Sequence, residues 1–372
     1  MISGRFLPES YGGSENQCIL LCSALIEQGF DVTVLTSRSK FLTPPSDNLN
    51  GIKIVRLLTF GPPQYFSIRF MYASVIWAIK LYLWLRKRHY KYDVIHSHQS
   101  KFQAFAAVWL ARIFSKKAII KIANGGKEFE LELLRKKPLG NKMFDYILKN
   151  VDFIVAISSE IKSNLQETGI NQNKIVHIPN GVEIADRFVD YQIYRNEIKF
   201  IFTGRFETQK NILNLITAFK KINLEFPDTS LALLGDGSQK PIIEDLIDEN
   251  NLVNNVFLPG FVKDVKKWLL DSDFFVLPSL VEGMSNSLLE AMSVGLIPIC
   301  TKVSGTSDLI EDGLDGFLIE SKNENSIYET FKRVLSLDNQ MKVMLGENAL
   351  SKIRNHHDIH KISKRYIDLY KD

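Results

Sequence analysis

Two glutamates, Glu282 and Glu290, stand with seven residues between them in the stretch 277–295, LPSLVEGMSNSLLEAMSVG. Eight helical steps of about 100° would leave them roughly 80° apart and two turns distant, so a single helical face does not present both carboxylates together. A loop glutamate followed by a helix glutamate is the geometry that remains. The apolar run 274–277 reads as a buried strand, 278–283 as a loop and 286–294 as a helix. A helix starting among Ser285, Asn286 and Ser287 aims its first main-chain N–H groups, up to that of Leu288, at whatever lies in front of it, and that is an anion site.

Upstream, the run KFIFTG ends in Gly204 and is followed by Arg205, with Lys210 five residues on, ahead of a helix expected over 212–220. Two cations at a strand's C-terminal end suit a diphosphate, because the guanidinium can bind it bidentately while the ammonium acts as a point charge. A surface salt bridge is the alternative. Gly12 and Gly13 precede a helix expected to be capped by Ser14, and paired glycines serve either a close main-chain approach to a ligand or an ordinary turn. His98 lies just past the strand DVIH, an address that fits a substrate contact as well as a buried structural histidine, whereas His96 is assigned to the core. The loop GDGSQK, 235–240, places Lys240 where a dinucleotide loop needs its third glycine, which excludes NAD. Asp271-Ser272-Asp273 has the D-x-D form of a metal chelate but falls between a helix and a strand, where these residues make turns. No metal and no cofactor are expected.

The elements that must position these residues alternate between short β-rich runs and helices, which implies βαβ units, parallel sheets and ligands at the strands' C-terminal ends. At 372 residues the chain exceeds one ordinary core. The expected organisation is a first Rossmann-like domain over 1–182, a linker over the aperiodic polar segment 183–197, a second Rossmann-like domain over 198–355, and a C-terminal helix over 356–372 folding back on the first. Only the tail of a first strand is apparent at residues 2–5, so the chain is expected to start inside strand one.

Hydrophobic residues make up 45% and charged residues 24%, which excludes disordered and collagenous classes. The net charge of +4 conceals an asymmetry: residues 61–127 hold twelve Lys or Arg against one acid, Asp93, so the rest of the chain is net acidic. A solvated face and attraction to anionic lipid or substrate both fit, while no nucleic-acid motif accompanies the charge. Within that region a helix expected over 67–88 has an aromatic body and ends in Arg86, Lys87 and Arg88. It could lie on a membrane surface or pack on the sheet. The longest apolar run, 70–79, is too short to span a bilayer, and no signal peptide is apparent. Cys18, Cys22 and Cys300 match neither a disulfide set nor a metal pattern and read as core thiols of a reducing compartment. The expected location is cytoplasmic, at the inner face of the membrane where lipid is involved.

Several motifs together resemble the GT-B glycosyltransferases of the large retaining family 4. They are YGGSE at 11–15, PNGV at 179–182, GRFETQKN at 204–211, LLGDG at 233–237, PSLVEGMSNSLLEAMSVG at 278–295 and SDLIEDGLDGFLI at 307–319. The resemblance implies an α/β fold of two Rossmann-like domains facing across a cleft. It implies that Arg205 and Lys210 neutralise the donor diphosphate, Glu290 holds the ribose hydroxyls, and Glu282 meets the donor sugar. Amides over 285–288 would hold phosphate, the Gly12-Gly13 loop would close on it, Gly204 and Val262 would complete the donor site, and His98 would lie near sugar and acceptor. One departure concerns the acceptor: many relatives carry a histidine after the fifth strand, where this chain has Asn124, Gly125 and Gly126 followed by Lys127.

The expected function is transfer of a hexosyl unit, from UDP in preference to other nucleotides, to a glycan or polyprenyl-linked hydroxyl in cell-surface polysaccharide assembly. Attack from the front face, with retention and without metal, is what the resemblance implies. A nucleotide-sugar epimerase of the same architecture and a non-catalytic nucleotide-sugar or membrane-binding subunit are the alternatives.

Overall fold

β-Branched and aromatic runs separated by amphipathic segments form two sheets. A computed structural model describes residues 1–10, 12–59, 71–191 and 197–372, with main chain alone at Met71 and Lys127. Its strands are β1 Ile2–Ser3, β2 Thr33–Arg38, β3 Ser46–Leu49, β4 Ile52–Leu58, β5 Val94–His98, β6 Lys117–Ile122, β7 Phe153–Ala156 and β8 Ile175–His177 in the first sheet. The second holds β9 Ile198–Thr203, β10 Thr229–Leu234, β11 Val256–Gly260, β12 Phe274–Leu277, β13 Ile297–Thr301 and β14 Phe317–Ile319. Spatial orders are β3-β4-β2-β1-β5-β6-β7-β8 and β11-β10-β9-β12-β13-β14. Among the described residues every strand pairing is parallel except β3 with β4.

The chain divides into one unit of Met1–Gly181 with Ile359–Asp372 and a second of Val182–Asp358. In the first, helices Gly13–Glu27 and Ile359–Lys371 share a core in which Cys18, Leu21, Cys22, Ile362 and Tyr366 are buried. Gly181 accommodates the second helix closely, since a Cβ there would sit 2.8 Å from Ile359 Cδ1. In the second unit Phe200 stacks between Phe331 and Phe274, at centroid distances of 4.5 and 5.4 Å. Cys18, Cys22 and Cys300 are all free and buried.

The segment expected as a linker is corrected over 183–191; residues 192–196 lie outside the described ones. Val189 N–H donates to Val294 O at 2.8 Å. The buried Tyr191 hydroxyl lies 3.1 Å from Asp273 O and 3.3 Å from Gly295 O, and accepts from Ile297 N–H at 3.0 Å. One aromatic anchor therefore folds a polar segment into the second unit. The C-terminal boundary also shifts: one helix runs Asn339–His356, and Ile359–Lys371 begins after a break at His357 and Asp358.

Helix Met71–Lys87 has one buried face and one partly exposed apolar face; residues 67–70 of the expected helix lie outside the described ones. Ala73, Trp77, Leu81 and Leu85, four apart, are buried. Val75, Ile79 and Leu83, offset by two positions and hence by about 200°, are half exposed at 49%, 54% and 54%. No helix among the described residues is long and apolar enough to cross a membrane.

Candidate functional site

The second unit gathers most of the candidate residues at the C-terminal ends of β9 and β12. After β9 the main chain turns through Gly204 and Arg205, whose side chain is exposed, and fully buried Phe206 anchors the turn. Phe206 N–H donates to Asp236 O at 2.9 Å, and the loop after β10 packs directly on this turn. Glycine is required there: Gly235 has φ +149°, and a Cβ on it would lie 1.8 Å from Gly204 O. At Gly237 a Cβ would lie 2.5 Å from Phe206 O.

The loop after β12 is tied to the same turn. Leu280 N–H donates to Gln209 O at 2.8 Å, Gln209 Nε2 to Val281 O at 2.6 Å, and Asn211 Nδ2 to Pro278 O at 3.1 Å. These bonds bring Lys210 Nζ onto Glu282 Oε1 as an ion pair. The residues expected to meet diphosphate and sugar separately are thus in contact with one another. Cys300, at the next strand end, has its thiol pushed far up, first by burial and then by the Glu282 charge.

Helix Asn286–Ser293 follows, capped by Ser285, whose Oγ accepts the Leu288 N–H at 3.4 Å and lies 3.0 Å from Ser287 Oγ. The cap occupies the Leu288 N–H, which corrects the expectation that this amide faces an anion. Glu290 sits one turn in, and burial lifts its carboxyl from the ordinary 4.5 to about 7. Val262 is half-buried in the loop after β11. The D-x-D carboxylates are held by protein: Asp273 accepts the Lys199 N–H at 2.8 Å and Asp271 pairs with Lys199 Nζ at 2.9 Å.

In the first unit the helix expected to be capped by Ser14 starts at Gly13, with Gly12 as an extended N-cap and no capping side chain. Ser14 lies inside the first turn, and the Glu15 carboxylate beside it accepts from Ser10 Oγ at 3.0 Å. His98 is the last residue of β5, not a residue beyond it, and is 1% exposed. It stacks on His96 at 4.6 Å, and His96 Nδ1 lies 2.8 Å from Tyr370 Oη. Burial, followed for His98 by the His96 and Lys121 charges, pushes both imidazoles well below their ordinary range, so both are neutral. His98 Nε2 has no hydrogen-bond partner among the described residues.

Asn124 is exposed after β6, and its Nδ2 donates to Glu130 Oε1 at 3.2 Å. The Lys127 side chain lies outside the described residues. Two residues were not singled out in the sequence. Lys121 pairs in register with His98 and is buried, which lowers its ammonium to about 8; a lysine inside the apolar run AIIKI was the available signal. Glu130 is 1% exposed, and burial raises its carboxyl against the opposing hydrogen bonds from Ser100, the Lys101 charge and the Ala123 main chain. Nothing in its charged neighbourhood, KEFELELLRKK, distinguishes it.

Residues 11–186 match the family described as Glycosyltransferase Family 4, and residues 184–352 the one described as Glycosyl transferases group 1. Over 315 residues the chain is 31% identical to the UDP-Gal:alpha-D-GlcNAc-diphosphoundecaprenol alpha-1,3-galactosyltransferase of Escherichia coli, covering 79% of this chain and 78% of that one. The chain belongs to glycosyltransferase family 4. Among solved structures, this family 4 chain resembles sucrose-phosphate synthase of Thermosynechococcus elongatus, with TM-score 0.79, 19% identity and coverage of 97% and 93%. It also resembles Anabaena HepE in complex with UDP and glucose, with TM-score 0.77, 17% identity and coverage of 100% and 98%. This family 4 protein is a glycosyltransferase of the GT-B fold.

Proposed function

We propose that this glycosyltransferase moves a hexosyl unit from a UDP-sugar to a hydroxyl of a glycan or polyprenyl-diphosphate-linked acceptor, with retention at the anomeric carbon, in cell-surface polysaccharide assembly. The observation that carries the reading is the Lys210–Glu282 ion pair beside exposed Arg205 and the start of helix Asn286–Ser293. Arg205 and Lys210 stabilise the diphosphate as negative charge grows on it, and the main chain before Leu288 adds a positive helix end. Glu290 accepts the ribose hydroxyls and Glu282 orients the sugar.

Retention ordinarily calls for a carboxylate nucleophile. Glu282 is already committed to Lys210, which favours front-face attack: the acceptor oxygen bonds to the anomeric carbon as the carbon–phosphate oxygen bond breaks, and the departing diphosphate takes the hydroxyl proton. No metal is invoked. The Escherichia coli relative is a UDP-Gal:alpha-D-GlcNAc-diphosphoundecaprenol galactosyltransferase, which supports UDP and a lipid-linked acceptor.

A lipid-linked acceptor calls for a membrane surface, and we assign that contact to helix Met71–Lys87 of an enzyme taken to act at the cytoplasmic face. Val75, Ile79 and Leu83 expose an apolar stripe, and Arg86 and Lys87 extend it with positive charge. Each is about half covered already, so burying the rest gains roughly 1 kcal/mol each.

The deciding experiment incubates the protein with UDP- and GDP-sugars, with and without a polyprenyl-diphosphate-linked sugar, measuring nucleotide release and the product's anomeric configuration. Acceptor-dependent UDP release with retention is expected. Inversion, an epimerised donor, or loss of activity in EDTA would overturn the corresponding part.

A further inference from the structure

Glu130 is buried at the start of a short helix, yet its carboxylate joins the ends of two neighbouring strands. Oε2 accepts from Ser100 N–H at 2.7 Å and from Ser100 Oγ at 2.8 Å, fixing the turn that leaves β5 after His98. That turn is constrained further, with Gln99 at φ 79°, its N–H donating to Lys121 O at 3.1 Å. Oε1, the remaining oxygen, faces the loop after β6 and receives Asn124 Nδ2 at 3.2 Å. The same loop is held on its far side by Asn164 Oδ1, which accepts the Gly126 N–H at 2.8 Å.

Donors converge on Glu130 from Ser100 N–H, Ser100 Oγ and the Ala123 main chain, with the Lys101 charge, and all of them oppose the burial that raises its carboxyl. A set of donors is met by a carboxylate, whose oxygen has no proton to give and so fixes which end of a neighbouring amide turns toward it. With both Ser100 donors on Oε2, Asn124 must offer Nδ2 to Oε1 and direct Oδ1 away. Asn124 is exposed, and no donor among the described residues reaches Oδ1. We propose that Glu130 is a positioning residue that sets the polarity of the Asn124 amide, so that Asn124 presents a hydrogen-bond acceptor to a hydroxyl of the incoming acceptor sugar. The proposal rests on the transferase reading for the identity of that hydroxyl, and on the hydrogen bonds alone for the polarity.

Glu130→Gln tests it with the shape retained. The glutamine carbonyl can take both Ser100 donors, and its NH2 then faces Asn124, which must reverse and present NH2 outward. Any loss of the Ala123 main-chain bond is common to Glu130→Gln with and without Asn124→Asp and cancels between them. The acceptor KM is expected to rise about ten- to hundredfold while the donor KM stays unchanged. Adding Asn124→Asp to Glu130→Gln restores an outward oxygen, because a carboxylate accepts from the glutamine NH2 and still offers an acceptor. Acceptor KM is expected to return toward the wild-type value in that double variant, which a purely structural role for Glu130 would not produce.

A thermal-stability cycle on the same variants needs no substrate. Asn124→Asp alone sets two carboxylates against each other and should lower Tm, and the loss should disappear in combination with Glu130→Gln. An unchanged acceptor KM in Glu130→Gln, or a raised KM that Asn124→Asp leaves raised, overturns the proposal. Additive Tm changes overturn the polarity coupling. If the wild type transfers no sugar, the transferase reading fails, and the Tm cycle still decides the coupling.

Discussion

Lys210 and Glu282 join the loop after β9 to the loop after β12 through an ion pair whose side chains are only 15% and 8% exposed. Removing one partner leaves a buried charge uncompensated. Lys210→Ala should therefore cost about 3–5 kcal/mol of stability as well as turnover, and the two effects can be separated. In Lys210→Met with Glu282→Leu the stability should return while transfer stays lost. Urea unfolding beside donor turnover makes the measurement, and an active double variant would remove the pair from the chemistry.

Arg205 is exposed and bears little on the fold, so its contribution is expected to be catalytic. Loss of one group that stabilises developing charge costs about 3–4 kcal/mol of barrier. Arg205→Ala should lower kcat at least about a hundredfold with an unchanged unfolding midpoint. Near-normal turnover would remove Arg205 from the diphosphate site.

Burial lifts Glu290 to about 7 from 4.5, so the folded chain keeps a proton that the unfolded chain has released. In that window the native state binds more protons, and stability falls as pH rises through it. The contribution is fully present below about pH 4.5 and lost by about pH 7. Donor binding should run the other way, because the ionised carboxylate accepts both ribose hydroxyls. Donor KM should fall as pH rises through about 7, and Glu290→Gln should flatten both profiles. A wild-type donor KM independent of pH across that range would separate Glu290 from the ribose.

The β9 and β12 site was legible because its determinants are local: strand, turn and helix start follow one another within ten or so residues of Arg205 and Glu282. What the sequence concealed depends on partners far along the chain. His98 is buried beneath His96, which meets Tyr370 from 274 residues away. Segment 183–191 reads as a linker because its attachments, Val189 to Val294 and Tyr191 to Asp273 and Gly295, lie far along the chain. β3, with the polar sequence SDNL, is a strand only through its antiparallel pairing with β4. Glu130 acquires meaning only when Ser100 and Asn124 converge on it.

Gly235 offers a test of main-chain closeness at the proposed donor site. Its positive φ and the 1.8 Å approach of a Cβ to Gly204 O mean that alanine forces the β10 loop off the Arg205 turn. Gly235→Ala should destabilise by about 1–3 kcal/mol and weaken donor binding. The same change at Gly29, also at positive φ but with open space around the Cβ, should affect stability alone. Equal effects on donor KM at the two glycines would show that the clash does not reach the site.

Membrane attachment through helix Met71–Lys87 predicts two separable losses. Ile79→Glu with Leu83→Glu should abolish flotation with vesicles of any composition, because it removes apolar contact from a face that the core does not use. Arg86→Ala with Lys87→Ala should weaken binding only to vesicles containing phosphatidylglycerol. At about 1 kcal/mol per basic residue near an anionic surface, the pair accounts for roughly a thirtyfold change in partitioning. Added salt should reproduce the second loss and spare the first. Both variants should retain activity toward a short, water-soluble acceptor while losing it toward a membrane-embedded one. Parallel loss on both acceptors would mean that the stripe supports the fold of the first unit, and flotation unchanged in both variants would place the lipid contact elsewhere.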